Sequence, residues 1–119
     1  MASAVKLGVK SPKVLKTFAN TSNNISQKQL RHIRGNSRYR GGGYMESVED
    51  AQEVLDAYKG GNATFLGVTS NGHQVVKVTN VKGTNVNLGA GVQAQETNVF
   101  IIKGSSKPSV VPTNPNWKP

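Results

Sequence analysis

The spacing of apolar residues changes near residue 63, from the three-to-four-residue period of helices to the alternation of strands. Before that point Val14, Leu15 and Phe18 share one helical face, and Pro12 suits the first turn of such a helix. The polar run over residues 20–24 predicts where this helix stops. The first element is therefore expected to be a short helix that packs through one side.

A second helix is predicted from a capping box, in which Ser26 caps the first turn and Gln29 closes the box three residues later. Gly35 is placed to end it. The apolar side chains of this helix share one face, which leaves His32 on roughly the opposite side. The imidazole is therefore expected to face either solvent or a molecule that the protein binds.

A third helix is predicted from Ser47, with Asp50 closing a second capping box, to the two glycines at 60–61. Its acidic residues crowd the N-terminal turns, where the helix dipole favours them, and we interpret them as a solvated face. The residues at core spacing are Val48, Ala51, Leu55 and Tyr58.

Beyond residue 63 the alternation predicts five strands, over residues 63–69, 74–81, 85–88, 97–103 and 109–111. Asn71-Gly72, between the first two, is the usual signal of a two-residue hairpin turn. The strand over 97–103 is the most apolar and is expected at a central position. Helices followed by a four- or five-stranded antiparallel sheet make an α+β fold. Residues 11–119 are interpreted as one domain, and residues 1–10 as a linker or leader.

Charge separates one short segment from the rest of the chain. The 119 residues hold 15 Lys and Arg against six Asp and Glu, a net charge of +9, and five of the acids lie within residues 46–56. The electric field of so much positive charge attracts polyanions, so nucleic acid is the leading partner class, ahead of an acidic protein or an anionic membrane surface.

The absence of cysteine excludes disulfides and thiol catalysis. No apolar run approaches the roughly 20 residues of a membrane span.

Cations surround His32 in the sequence and make it the leading catalytic candidate. Nearby positive charges lower the pKa of an imidazole and favour the neutral form that a general base requires. The same cations could bind phosphate oxygens. The alternative is a basic face that binds nucleic acid without any reaction. The candidate RNA-binding residues are Lys28, Arg31, Arg34, Arg38, Arg40 and Lys107.

Hydroxyl and lysine side chains near the last two strands are candidates to complete the site. Thr97, Lys103 and Ser105 could hold a phosphate beside His32, although an ordinary polar turn after a buried strand would look the same. Tyr39 could stack on a base or donate a proton. His73 follows a hairpin turn, where a polar residue needs no special explanation, and it is not placed among the candidates.

The carboxylates are poorly distributed for a metal-dependent phosphodiesterase, because they concentrate on one helix and leave only Glu96 among the strands. We therefore expect neither a metal nor a cofactor. RNA can be cleaved without a metal, since its 2′-hydroxyl can attack the adjacent phosphate, whereas DNA lacks this nucleophile. A nuclease built from these residues is expected to act on RNA.

Several short motifs occur in the same order as in a known family of toxins. They are Lys28-Gln29-x-Arg31-His32-Ile33-x-Gly35, Ser47 with Asp50-Ala51-Gln52-Glu53 after it, Thr97-x-Val99-Phe100-Ile101-Ile102, and Val111-Pro112-x-x-Pro115. Over about residues 26–115 the chain resembles the polymorphic toxin type 50 domains, C-terminal modules of secreted bacterial effectors that include contact-dependent growth inhibition proteins. Those domains are similar to the barnase/EndoU/colicin/RelE superfold of metal-independent ribonucleases.

The resemblance implies a toxin that cleaves RNA, with tRNA as the expected substrate, and a cognate acidic immunity protein that covers the active site. It implies His32 and Thr97 as the matched catalytic residues. The Tyr-Ser-Lys and following His that the family carries near its last strand are not reproduced, so Lys103 or Tyr39 would replace that His. It also implies a larger secreted or cell-surface effector that acts in the cytoplasm of a target bacterium.

The function expected from the sequence is therefore metal-independent transesterification of RNA, which leaves 2′,3′-cyclic phosphate and 5′-hydroxyl ends. Two alternatives stay open. One is a non-enzymatic RNA-binding module, in which the same cations hold the RNA backbone and His32 is incidental. The other is an interaction domain whose basic face docks on an acidic protein.

Overall fold

The computed structural model describes residues 12–119, and the linker or leader predicted for residues 1–10 lies outside them. Within the described part, two α-helices and a 3₁₀ helix precede six strands, which confirms the predicted α+β fold. The helices are α1 (Pro12–Asn20), the 3₁₀ helix Gln27–His32 and α2 (Val48–Lys59), with a short 3₁₀ turn at Leu88–Ala90. The strands are β1 (Thr64–Val68), β2 (Gln74–Lys77), β3 (Gly83–Asn87), β4 (Val92–Thr97), β5 (Val99–Lys103) and β6 (Ser109–Pro112).

Four strands form the main sheet in the order β1-β2-β5-β6, with antiparallel neighbours throughout, and β3 and β4 form a separate antiparallel ribbon. β5 lies inside the main sheet, as its apolar sequence predicts. The single strand predicted over 97–103 is wrong at its start, because Thr97 ends β4 and Val99 begins β5. β4 was not predicted because four of its six residues are polar, so it shows no sustained apolar alternation.

The core lies between α2 and the main sheet. Ser47 caps α2 as predicted, and its side chain accepts a hydrogen bond from Asp50 N at 3.1 Å. Val48 is 36% exposed, so its predicted core position is wrong, while Val54 on the other flank of the same apolar stripe is fully buried. None of the helices in residues 12–119 is long and apolar enough to cross a membrane.

The β1–β2 hairpin turns through three residues and not through the predicted two. Gly72 N donates to Thr69 O at 2.9 Å, and Thr69 N donates to His73 O at 2.8 Å. Gly72 has a φ of 86°, and Asn71 is not among the residues with positive φ. This is a type I turn followed by a left-handed glycine, whereas the predicted two-residue turn requires two left-handed residues. The extra residue places His73 at the point where β2 begins.

The second helix is a 3₁₀ helix, and its predicted capping box does not form. The Ser26 side chain makes no cap, and its hydroxyl donates to Lys107 O at 3.2 Å. Gln29 is fully buried. Its amide oxygen accepts from Val110 N at 2.6 Å, and its amide nitrogen donates to Val110 O at 2.9 Å. A buried strand N–H or C=O without a hydrogen-bond partner costs more free energy than an unpaired group at an exposed helix end. The Gln29 side chain therefore binds the Val110 backbone and does not close the capping box.

Candidate functional site

The main sheet places three polar residues side by side at one end. Lys103 at the end of β5 pairs with Ser109 at the start of β6. On the other side of β5, Gln74 pairs with Ile102, so the antiparallel register brings His73 beside Lys103. Opposed residues in antiparallel strands have neighbouring side chains. His73, Lys103 and Ser109 therefore form a row across three strands.

His32 reaches the same end of the sheet from the 3₁₀ helix, which Gln29 anchors to β6. The His32 carbonyl accepts a hydrogen bond from Met45 N at 2.7 Å. The next residue, Ile33, is extended and forms a parallel bridge with Met45, so the helix ends at His32 and not at the predicted Gly35. Because the Met45 side chain is fully buried, the backbone of His32 is held against the core.

These elements surround an open cleft of about 350 Å³ that contains both histidines. Of the described residues that line it, none carries a carboxylate. Within residues 12–119, no three His, Asp or Glu side chains come together in a way that could hold a metal ion. The cleft, called the histidine cleft below, is lined by Lys28, Arg31, His32, Arg40, His73, Lys103, Gly104, Lys107 and Ser109.

Both imidazoles are poorer bases here than in water. Burial lowers the pKa of His32 below 6.5, and the positive charges of Lys103, Arg31 and Arg40 lower it further. Burial also lowers the pKa of His73, and Lys103 adds to that effect. Lys103 thus acts on both rings. A bound phosphate would oppose this effect, because its negative charge favours the protonated imidazole.

A second cleft of about 390 Å³ continues the cationic surface away from the imidazoles. Lys28, Arg31 and Lys107 line both clefts, and Arg38 lines the second one alone. We call these four residues the basic track. A polyanion that enters the histidine cleft can extend along the basic track and keep its phosphates near positive charge.

Comparison with known families agrees with the motifs found in the sequence. The family model described as bacterial toxin 50 (Ntox50) matches residues 24–112, which include every residue of the histidine cleft. The chain belongs to the bacterial toxin 50 family. No curated protein is significantly similar to it in sequence.

In this toxin 50 domain, three of the predicted catalytic residues lie outside the histidine cleft. Thr97, the last residue of β4, is buried near the start of β5, and its hydroxyl accepts from Val99 N at 3.1 Å. Ser105 lines a neighbouring pocket instead. The Tyr39 hydroxyl donates to Gly42 O at 2.5 Å. Of the predicted catalytic set, the cleft brings together His32 and Lys103.

The predicted RNA-binding residues divide in the same way. Lys28, Arg31, Arg40 and Lys107 line the histidine cleft, and Arg38 lines the second cleft. Arg34 lies elsewhere, with its guanidinium 3.4 Å from Glu46 Oε1 and 5.9 Å from the centre of the Tyr44 ring. Since both members of that ion pair are more than half exposed, the pair adds little to stability.

His73 is the titratable residue of the toxin 50 cleft that was not among the predicted site residues. Its place depends on the pairing of β2 with β5, two strands separated by the whole β3–β4 ribbon. Alternation shows which residues share a face of a strand, but it does not show which strands are neighbours. The one sequence signal was the hairpin turn before His73, which puts this residue at the end of the sheet.

Proposed function

We propose that this toxin 50 domain is a ribonuclease that cleaves RNA by transesterification without a metal ion. The observation that carries the proposal is that His32 and His73 line one cleft and that Lys103 acts on both imidazoles. Family membership supports a toxin. A cleft with five cationic lining residues supports a polyanionic substrate, and RNA carries its own nucleophile.

His32 is assigned as the general base. Burial and three neighbouring cations lower its pKa, so the neutral imidazole is available near pH 7. That imidazole takes the proton of the ribose 2′-hydroxyl as the 2′ oxygen attacks the adjacent phosphorus. The step forms the 2′-O–P bond and leaves His32 protonated.

His73 is assigned as the general acid. Its pKa is lowered by burial and by Lys103, without the contributions of Arg31 and Arg40 that act on His32. A phosphate bound at Lys103 offsets that charge, so His73 keeps a proton more readily than His32 does. It donates this proton to the 5′ oxygen as the P–O5′ bond breaks. The products are a 2′,3′-cyclic phosphate and a 5′-hydroxyl, and the two histidines together neither gain nor lose a proton.

The cations stabilise the charge that develops on phosphorus. In the transition state the non-bridging oxygens carry more negative charge than in the substrate, and Lys103, Arg31 and Arg40 lie around them. Ser109, next to Lys103 in register, is buried and lines the cleft beneath these cations. The basic track binds the flanking phosphates, and that part of the affinity falls with salt.

The substrate and the setting follow from the resemblance and from the charge. We assign tRNA as the substrate and an acidic immunity protein as the partner that covers the cleft. A basic cleft is complementary to such a protein, and charge complementarity speeds association. The carrier would be a larger secreted or cell-surface effector that delivers the domain into the cytoplasm of a target bacterium.

Incubation of the purified chain with total tRNA in EDTA tests the proposal. We expect discrete fragments, with cyclic phosphate at the new 3′ ends and free hydroxyl groups at the new 5′ ends. A mobility shift without fragments would support the non-enzymatic RNA-binding module instead. Cleavage that EDTA abolishes and Mg²⁺ restores would contradict the metal-independent reaction.

A further inference from the structure

A smaller pocket of about 200 Å³ opens beside the histidine cleft and shares His73 and Gly104 with it. We call it the side pocket. Its other walls come from α1, α2, the β1–β2 turn and the start of the β5–β6 loop. The proposed function leaves this pocket without a role.

The side pocket differs from the histidine cleft in charge. Of the residues that line it, all described, none is Lys, Arg, Asp or Glu. Phosphate is therefore a poorer occupant here than in the histidine cleft, because no lysine or arginine on these walls neutralises its charge. Aromatic and apolar groups, Tyr58 and Ile102, lie among small polar residues. A neutral, partly apolar ligand with polar edges fits this lining best.

The inner wall of the side pocket is already organised by hydrogen bonds. The Tyr58 hydroxyl donates to Gln74 Oε1 at 2.5 Å, and Gln74 Nε2 donates to Val14 O at 3.3 Å. The Thr21 hydroxyl donates to Thr17 O at 2.6 Å. These bonds hold the inner wall in one arrangement, so little ordering is needed when a ligand binds.

Two exposed side chains stand at the rim of the side pocket. Asn71 lies in the type I turn two residues before His73, and Ser105 follows Gly104 at the end of β5. An amide and a hydroxyl can both donate and accept hydrogen bonds, as the edge of a nucleobase requires. The rim thus supplies polar contacts beside a neutral interior.

We propose that the side pocket binds the nucleobase that follows the scissile phosphate and selects a pyrimidine. This rests on the proposed cleavage of RNA. His73 forms the wall between the pocket and the cleft, and as general acid it faces the nucleotide that carries the leaving 5′ oxygen. A cavity of about 150 Å³ holds one benzene ring. The side pocket therefore has room for one six-membered ring with its exocyclic groups, and little room for a fused purine.

Short RNA oligonucleotides that differ only in the base after the cut test the proposal through kcat/KM. We expect U and C to exceed A and G by about tenfold or more, which is the discrimination that one well-fitted pocket supplies. Ser105→Tyr should fill the pocket and Asn71→Ala should remove an edge contact, and each should bring this ratio toward one. Ser106→Tyr and Ser70→Ala, neighbours that line neither the pocket nor the cleft, are the matched controls.

Cleavage without a preference at this position would overturn the proposal, and so would variants that slow all substrates equally. A titration of ¹⁵N-labelled protein with 5′-UMP, 5′-AMP and inorganic phosphate distinguishes failure of the side-pocket proposal from failure of the proposed cleavage reaction. Amide shifts at Asn71 and Ser105 with 5′-UMP, beyond those that phosphate causes, would support the pocket even if no RNA were cut. Shifts confined to the histidine cleft for all three probes would refute the pocket and leave the proposed reaction standing.

Discussion

Polar residues lie at both ends of strand β5, but they have different surroundings and different uses. At one end Lys103 lies in the histidine cleft beside His73 and Ser109. At the other end, where β5 begins at Val99, the last residue of β4, Thr97, is buried, and its hydroxyl already accepts a hydrogen bond from Val99 N. A hydroxyl enclosed in this way cannot reach a phosphate, so the residue type indicates chemistry only when its surroundings leave it accessible.

The difference between the two ends follows from the elements that meet there. At the Lys103 end, the 3₁₀ helix, the β1–β2 turn and the β5–β6 loop converge and bring cations together. At the Thr97 end, the β3–β4 ribbon lies against the sheet, and Thr97 pairs with Gly83. The first end is open and charged, whereas the second is closed and packed. Substitutions at the first should therefore affect activity, and those at the second should affect folding.

The largest expected effect is on catalysis at the open end. His32→Ala and His73→Ala should each lower the rate of tRNA cleavage by at least about 10²-fold, the usual contribution of an acid or base. Thr97→Val, at the closed end, should lower thermal stability with no more than a few-fold change in rate. A loss of activity in Thr97→Val as large as in His73→Ala, in protein shown by circular dichroism to be folded, would reverse the comparison.

The next largest effect is on stability at the closed end. A Cβ at Gly83 would lie 2.5 Å from Pro112 Cγ and 3.0 Å from Phe100 Cε1, and these rings have little freedom to move. Gly83→Ala should therefore lower the free energy of unfolding by about 1–3 kcal/mol in urea titration. Gly42→Ala is the control, because a Cβ there meets nothing within 4 Å. Equal stabilities of the two variants would show that the ribbon is not packed closely on the sheet.

Much of the open end could be predicted from the sequence, because its chemistry is local. The cations around His32 are close in the chain, and the apolar strand before Lys103 marks a buried element that ends in a polar loop. The fold class also followed from the change in apolar period near residue 63. The cap of α2 was predictable for the same reason, since Ser47 and Asp50 are three residues apart.

The rest depended on contacts between distant parts of the chain. The pairing of β2 with β5 puts His73 beside Lys103, yet no local pattern encodes it. Gln29 has the right spacing for a capping box, but Val110, 81 residues away, binds its side chain. Thr97 likewise fits a family motif, and only its buried hydrogen bond shows that its hydroxyl is already used.

A smaller effect concerns the pH dependence of cleavage. The proposed mechanism needs His32 neutral and His73 protonated, and both pKa values lie below 6.5 in the free protein. The rate constant kcat/KM should therefore be highest below pH 6.5. It should fall at higher pH as His73 loses its proton, and at lower pH as His32 gains one. A maximum above pH 7 would contradict this assignment of acid and base.

The smallest expected effect is on the pKa values of the two histidines when one lysine from either end of the sheet is replaced. Nuclear magnetic resonance titration of the histidine rings measures it. Lys103 lowers the pKa of both His32 and His73 because its positive charge disfavours the imidazolium. Lys103→Ala should therefore raise both pKa values and move the maximum of kcat/KM to higher pH. Lys77, which pairs with Val99 at the closed end, is the matched control, and Lys77→Ala should leave both titrations unchanged. If Lys103→Ala shifted only one ring, the two imidazoles would not share a cation, and the pairing of His32 with His73 as base and acid would lose its main support.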